Sequence, residues 1–317
     1  MERILITGGA GFIGSNACNI LSKEGYEVIA FDNLSLGRKR NLEEGVTFIN
    51  GDLANAEDLE QVGQVDYVIH LAASSSAPMF VDDLIGSFEN NIVNHMRVLE
   101  YARTHGAKKI IFASTSSIYG NNPVPLTEDQ DVTPPNMYSV TKHAQEEASQ
   151  VYAEMHELEI IAFRFMSVYG LHEEHKGRFA NLISQFMWGM EQGRQPTVYG
   201  DGLQTRDFTN VKDIVQAFRH AIKKEGGFGF SVYNVGTSQA INMHDLMKIL
   251  NHAMGTKIEA ALVENPIKTG YVKNQLGSLE KINRELGYEP TVSLEEGVKE
   301  IVEHRKTDPI APASMSY

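Results

Sequence analysis

Short apolar runs alternate with amphipathic stretches through the first half of the chain. The apolar runs have the length of buried strands, and the longer stretches repeat their apolar residues at helical spacing. The predicted strands span residues 3–7, 27–31, 46–50, 66–71, 108–114 and 159–165. The predicted helices span residues 12–23, about 82–105 and 136–155. This order predicts an α/β fold built on a doubly wound parallel sheet, with helices on both faces.

The pattern loosens after residue 165. Helical spacing returns over residues 178–192, 212–224, 243–254 and 294–306, with short apolar runs and glycine-containing turns between them. We therefore predict two domains: residues 1–165 with the parallel sheet, and a smaller mixed α/β domain over residues 166–317. Some segments of the second are expected to interleave with the first. Residues 307–317 show little pattern and are predicted to be a frayed tail.

A glycine-rich turn follows the first predicted strand and precedes the first predicted helix. Gly8, Gly11 and Gly14 are spaced as in a dinucleotide-binding fingerprint, in which the backbone must approach a pyrophosphate closely. The N-terminus of the next helix offers free amides and a positive dipole end to the phosphates. An ordinary strand-to-helix turn is the alternative, but the position of this turn favours dinucleotide binding.

Asp32 ends the second predicted strand, where a carboxylate can accept hydrogen bonds from the ribose hydroxyls of NAD. A carboxylate there also repels the additional phosphate of NADP. Arg38, Lys39 and Arg40 follow closely and offer an alternative, since they are able to hold that phosphate. We favour NAD and interpret the three cations as a solvated cluster.

A tyrosine and a lysine four residues apart open the helix predicted over residues 136–155. This spacing places Tyr138 and Lys142 on one helical face, and a nearby ammonium would favour a phenolate able to act as a base. Residues 112–120 end the preceding strand in a cluster of hydroxyl groups that includes Thr115. Ligands bind at this edge of a parallel sheet, so a surface pair is the less favoured interpretation.

Together these motifs resemble the extended short-chain dehydrogenase/reductases, and among them the nucleotide-sugar epimerases of the UDP-glucose 4-epimerase type. The motifs are the loop GGAGFIG, Asp32, the segments GDL at 51–53 and HLAA at 70–73, YSVTK at 138–142, and GDG with QTRDF at 200–208. The resemblance implies catalysis by Tyr138, Lys142 and Thr115. It implies a cofactor-binding set that comprises Gly8, Gly11, Phe12, Ile13, Gly14, Asp32, Asn33, Asp52, Leu53, Leu71, Ala72, Ala73, Asn91, Tyr138, Lys142 and Phe165.

The same resemblance implies a reaction in which a sugar is oxidised transiently and the hydride returns to its other face. The implied substrate-binding residues are Thr115, Ser116, Ser167, Arg206 and Lys268. Related dehydratases carry an acidic pair after the catalytic threonine, and Ser116 and Ser117 occupy those positions here. Ser167 stands for a usual asparagine, and Lys268 for a usual arginine whose fork binds phosphate in bidentate fashion. A dehydrogenase, reductase or decarboxylase of the same family, and a binding protein that lost catalysis, are the alternatives.

Composition narrows the choice of partners. With 28 basic and 41 acidic residues the net charge is −13, which disfavours nucleic acid and anionic membrane surfaces. The single cysteine, Cys18, excludes an internal disulfide and is predicted to be a buried thiol. No apolar stretch reaches the length of a membrane span.

We predict a cytoplasmic enzyme without metal and, from the resemblance, a homodimer that pairs helices 82–105 and 136–155. The sequence HEEH at 172–175 is interpreted as a solvated loop over the substrate site.

Overall fold

A computed structural model describes residues 1–227, 229–266 and 271–313 of the chain. The strands are β1 (Arg3–Thr7), β2 (Glu27–Asp32), β3 (Thr47–Asn50), β4 (Tyr67–His70), β5 (Lys109–Thr115), β6 (Glu159–Phe165), β7 (Ser167–Tyr169), β8 (Thr197–Tyr199), β9 (Thr205–Arg206), β10 (Phe208–Asn210), β11 (Gly229–Val235), β12 (Ile241–Asn242) and β13 (Ala261–Val263). The helices are α1 (Phe12–Lys23), α2 (Ala56–Glu60), α3 (Ala77–Asp82), α4 (Leu84–Phe88), α5 (Asn94–Thr104), α6 (Met137–His156), α7 (Leu182–Glu191), α8 (Val211–Lys223), α9 (Met243–Met254), α10 (Glu280–Leu286) and α11 (Leu294–Thr307).

Seven strands form one parallel sheet in the order β11-β6-β5-β4-β1-β2-β3. Apolar clusters cover both faces, one against α1 and α8 and the other against α5 and α6. The predicted α/β fold is confirmed. The strand order reverses at β1, whose neighbours are β2 and β4, so a crevice opens at the carboxyl ends of these strands.

The helical stretch predicted over residues 82–105 begins after Asp83. Asp83 has the extended dihedral angles φ −146° and ψ 94°, which end α3, and its side chain accepts a hydrogen bond from the Gly86 amide and caps α4. A single π-helical segment, Glu89–Val93, then leads into α5. The predicted helical stretch is therefore confirmed from Leu84 to Thr104, with one π-helical segment in its course, and it begins where Asp83 caps it.

The second half of the chain packs over the carboxyl edge of the sheet. A third apolar cluster joins α7, α9 and α11, and three small two-stranded sheets connect them. One strand of this half, β11, pairs in parallel with β6 and extends the main sheet. The division at residue 165 stays a prediction. In the described part of the chain, no helix is both long and apolar enough to cross a membrane.

Candidate active site

A cleft with a volume of about 470 Å³ lies at the carboxyl ends of β1, β2, β4 and β5. It gathers side chains and backbone from loops far apart in sequence. The predicted cofactor residues along its wall are Gly8, Gly11, Phe12, Ile13, Gly14, Asp32, Asn33, Asp52, Leu53, Leu71, Ala72, Ala73, Tyr138, Lys142 and Phe165. Catalytic and cofactor-binding candidates therefore line one continuous cleft.

The glycine loop leaves no room for side chains. Gly8 has a φ of +68°, and a Cβ on it would lie 2.8 Å from the Ala72 nitrogen. A Cβ on Gly14 would lie 2.0 Å from the Gly8 carbonyl oxygen. The loop, β4 and α1 thus approach each other as closely as backbone permits, which gives a phosphate direct access to the amides at the start of α1.

Backbone amides hold the Asp32 carboxylate at the carboxyl end of β2. Its carboxylate accepts hydrogen bonds from the Ala10 nitrogen at 3.0 Å and the Leu34 nitrogen at 2.8 Å. Burial raises the pKa of Asp32, and these two bonds oppose the rise. The Arg38 guanidinium turns away and donates to the carbonyl oxygens of Leu36 and Gly37 at 2.9 and 3.2 Å. The Arg38–Arg40 side chains are not among the residues that line the cleft.

Thr115 and Tyr138 meet at the other end of the cleft. Thr115 is the last residue of β5, and Tyr138 lies in the first turn of α6, which begins after a capping box formed by Asn136 and Ser139. Both side chains line the cleft, and the Thr115 hydroxyl lies close to that of Tyr138. Thr115 Oγ1 also accepts from the Ser117 nitrogen at 3.1 Å. Thr115 and Tyr138 therefore lie on the wall of one cleft.

Lys142 is buried one turn further along α6. Its ammonium donates to the Ala113 carbonyl oxygen at 2.8 Å. Burial lowers the pKa of Lys142 to about 7, opposed by the Glu146 carboxylate. Burial also raises the pKa of Tyr138, and the Thr115 hydroxyl opposes that rise. The prediction that Lys142 lowers the Tyr138 pKa is therefore wrong for the protein alone: desolvation of the phenolate dominates.

Because of Lys142, the free energy of unfolding should rise with pH. Its pKa falls from 10.5 to about 7 on folding, so between these values the unfolded chain binds a proton that the folded chain does not. The free energy of unfolding then rises with pH across this window, by at most about 1.4 kcal/mol per pH unit from this group. Below pH 7 the folded and unfolded chains both carry the proton, so the free-energy cost of burying the charged ammonium is complete. We expect the stability advantage of Lys142→Met over wild type to shrink between pH 7 and about pH 9. Denaturant unfolding of cofactor-free protein measures this, and an unchanged difference would contradict it.

Asn91 does not line the cleft, contrary to its predicted contact with the cofactor. It is fully buried, accepts from the Ser74 nitrogen at 2.7 Å and donates to the Thr141 hydroxyl at 2.9 Å. The neighbouring Asn90 lines the cleft instead. Asn91 therefore joins the loop after β4 to α6, and its effect on the cofactor is indirect.

Three of the predicted substrate residues, Ser116, Ser167 and Arg206, contact residues of the second half of the chain. Ser116 is buried and its hydroxyl accepts from the Gln275 amide. The Ser167 hydroxyl accepts from Asn181 Nδ2 at 3.1 Å, so a side-chain amide lies beside Ser167. Lys268 lies outside the described residues. Asn181 and Gln275 were missed; only the position of Asn181 as a helix cap could have marked it.

Arg206 is a half-buried cation. Its Nη1 donates to the carbonyl oxygens of Thr205 at 2.7 Å and Lys273 at 3.3 Å, and its guanidinium lies 5.7 Å from the centre of the Tyr271 ring. Within residues 1–227, 229–266 and 271–313 it forms no ion pair. Burial lowers its pKa. A cation placed in this way is suited to an anionic ligand.

A second cleft of about 700 Å³ opens at the carboxyl edge of β8. Amides, tyrosines and a lysine line it: Asn121, Asn122, Pro123, Val124, Tyr199, Gly200, Asp201, Gln204, Asn265, Tyr271, Lys273 and Asn274. Asn121 donates to the Tyr271 carbonyl oxygen at 2.9 Å and accepts from the Lys273 nitrogen at 2.8 Å, which ties the loop after β5 to the segment beside Arg206. The sequence marked the glycine-containing turn at 200–202 but not Asn121 or Tyr271.

The HEEH sequence at 172–175 is not a solvated loop, and that interpretation was wrong. Glu173, Glu174 and His175 are buried. His175 and Lys176 line the same cleft as the glycine loop. Their roles were missed because a short run rich in charged residues resembles solvated surface until its burial is known. In the described part of the chain no group of three metal-binding side chains occurs.

Comparison with known proteins places these features in a family. Residues 4–236 match the NAD dependent epimerase/dehydratase family. A putative UDP-glucose 4-epimerase of Methanocaldococcus jannaschii is 32% identical over 309 residues, which cover 96% of this chain and 99% of that protein. The structure of a UDP-glucose 4-epimerase of Thermotoga maritima with UDP-glucose shares 34% identity and a TM-score of 0.90, covering 96% of this chain and 99% of that one. A Thermus thermophilus UDP-glucose 4-epimerase complexed with NAD shares 30% identity and a TM-score of 0.85, covering 97% of this chain and 100% of that one.

Proposed function

Because the chain belongs to the NAD dependent epimerase/dehydratase family, we propose that it epimerises a nucleotide sugar, with a UDP-hexose as the first candidate. The chain is an enzyme and its cofactor is NAD. The observation that carries the proposal is the meeting of Tyr138, Thr115 and Lys142 at one end of a cleft whose other end fits a dinucleotide. Relatives named for this reaction match almost the whole chain.

Bound NAD would take up one hydride from the sugar and return it. The Tyr138 oxygen removes the proton of the reacting sugar hydroxyl and later restores it, while the Thr115 hydroxyl hydrogen-bonds the same oxygen. Lys142 holds its ammonium beside the helix face that carries Tyr138 and is placed to bind the cofactor ribose. Since the hydride returns to the opposite face of the sugar, the ketone must turn over without leaving the site.

We assign the nucleotide part of the substrate to the second half of the chain. The Arg206 cation, which has no acidic partner among the described residues, is proposed to bind the diphosphate. Ser116 and Ser167, with the Asn181 amide beside Ser167, are proposed to contact the sugar and phosphates. Lys268 is proposed as a second phosphate contact from its sequence position. The cleft lined by Tyr199 and Asn121 is proposed to hold the nucleoside.

Exposed apolar side chains support a proposal for how the chain assembles. Apolar side chains stand exposed on the outer face of α6 and beside it, with Val93 at 44%, Val140 at 38%, Val151 at 58% and Met155 at 68% exposure. We propose that a second copy covers this face and forms a homodimer. Sedimentation equilibrium tests this, and a monomer at micromolar concentration would refute it.

We also propose the cytoplasm as the compartment and residue 165 as the boundary between two interleaved domains.

A substrate panel tests the proposed reaction. Purified enzyme is denatured to identify released cofactor, and native enzyme is incubated without added NAD with UDP-, dTDP- and GDP-sugars. We expect retained NAD and a stereoisomer of one sugar, without net NADH. Preferential retention of NADP would contradict the role of Asp32. NADH formed from added NAD and another alcohol, with no sugar product, would replace the epimerase proposal by a dehydrogenase.

A further inference from the structure

Residues 171–179, here called the clasp, cross from the second half of the chain to the start of α1. The Asn16 amide of α1 donates to the Leu171 carbonyl oxygen at 3.0 Å. Ser15 Oγ lies 3.0 Å from His172 Nδ1, and the Lys176 ammonium lies 5.6 Å from the centre of the Phe12 ring. Three side chains in the first turns of the helix that follows the glycine loop therefore contact the clasp.

Buried acidic groups fix the clasp in place. The Glu173 carboxylate accepts from the Asn181 nitrogen and the Ser184 hydroxyl, both at 2.6 Å. The Glu174 carboxylate lies 3.5 Å from Arg305 Nη1, and its backbone oxygen accepts from the Ala313 nitrogen at 2.8 Å. Because these contacts come from α7, α11 and the chain after α11, the clasp is held firmly against the cofactor cleft.

Two clasp side chains line the cleft. His175 lines the cleft, is 7% exposed, and its Nδ1 has no hydrogen-bond partner in the described part of the chain. Burial lowers the pKa of His175 to about 4, so the ring is neutral at pH 7 and one of its nitrogens carries a proton to donate. Lys176 also lines the cleft, with its ammonium 3.6 Å from the Glu173 carboxylate.

The phosphates of NAD would lie against the glycine loop. That loop contributes amides and a helix dipole but no side-chain charge. The lining residues include two lysines, and Lys142 lies at the catalytic end. Lys176 is the lysine beside the start of α1, with its ammonium 5.6 Å from the centre of the Phe12 ring.

We propose that the clasp closes over the pyrophosphate of NAD, with Lys176 supplying a cation and His175 a hydrogen bond to the phosphate oxygens. This would keep the cofactor bound through the oxidised and reduced halves of a turnover. The inference rests on NAD as the cofactor and not on which sugar reacts, so it can fail or hold independently of the proposed reaction.

Lys176→Met tests the clasp in cofactor-stripped full-length protein. Affinity for NAD and ADP-ribose is measured by calorimetry, and adenosine binding by ligand-observed NMR. We expect the Kd of NAD and of ADP-ribose to rise about tenfold or more, because a charge-assisted phosphate contact is lost, while adenosine binding stays unchanged. Lys176→Arg should retain most of the affinity. The matched control is Lys212→Met, which removes an exposed ion pair with Glu300 and should change neither.

Two results would overturn the inference. Unchanged affinity for NAD and ADP-ribose would show that Lys176 does not contact phosphate. Equal weakening of all three ligands would show that Lys176 only supports the fold. Should the methionine variant unfold, the comparison of Lys176→Gln with Lys176→Arg gives the same test, and the salt dependence of ADP-ribose binding must then be steeper for arginine.

Discussion

Replacing Tyr138 by phenylalanine is expected to lower kcat about 10³-fold, because the change removes the group that takes and returns the proton of the sugar hydroxyl. The ring is retained, so its packing against Phe80, at 6.0 Å between ring centres, should persist. Cofactor content after purification should equal that of wild type. The measurement is the rate of stereoisomer formation from the preferred sugar, together with NAD released on denaturation.

Tyr26→Phe is the matched control for this prediction. Tyr26 precedes β2, at the edge of the sheet opposite the cleft, and its hydroxyl has no role in the proposed reaction. Near-normal turnover by the Tyr138 variant would refute the assignment of the base. Loss of NAD from that variant would instead assign the hydroxyl a main role in holding cofactor.

Glu146→Gln should cost about 3–5 kcal/mol of unfolding free energy, since it leaves a buried arginine without its anion. The Glu146 carboxylate binds Arg164 through Nε at 3.0 Å and Nη2 at 2.7 Å, and the two side chains are 4% and 7% exposed. Glu146 also accepts from the Ser114 hydroxyl. The pair thus joins the end of β5, next to Thr115, to the helix that carries Tyr138 and Lys142.

Urea unfolding of the cofactor-free protein measures this loss. Glu147→Gln is the matched control, since Glu147 is the next residue of α6 and is exposed; its stability should stay within about 0.5 kcal/mol of wild type. Equal stability of the two variants would show that the Glu146–Arg164 ion pair contributes no net free energy to folding. Where the Glu146 variant still folds, kcat should fall with little change in KM, because the catalytic hydroxyls lose their alignment.

The sequence predicted six of the seven strands of the main sheet, because each of the six is a short apolar run; β11 was given no range. The bounds of β1, α1 and β6 agree residue for residue with the prediction. The glycine loop could also be predicted, because Gly8 and Gly14 meet a steric requirement that other residues cannot. Cys18 is buried, as predicted.

The errors arise where a contact between distant segments decides the outcome. The clasp has the composition of solvated surface, and its burial depends on Arg305 and Ser184, which no local pattern connects to it. Asn91 matches a family position near the cofactor, yet its hydrogen bond to the Thr141 hydroxyl directs its side chain into the protein interior. The raised pKa of Tyr138 reflects burial by the assembled cleft, which spacing along a helix cannot reveal.

The most direct test of the central claim follows one hydrogen atom. A nucleotide sugar carrying deuterium on the carbon that inverts is converted by the native enzyme without added cofactor, and the product is examined by mass spectrometry and NMR. We expect the epimer to retain the deuterium on the same carbon, with no net NADH, because the hydride taken from the sugar returns to it. Loss of the label to solvent, or NADH accumulating in proportion to substrate consumed, would contradict an epimerase.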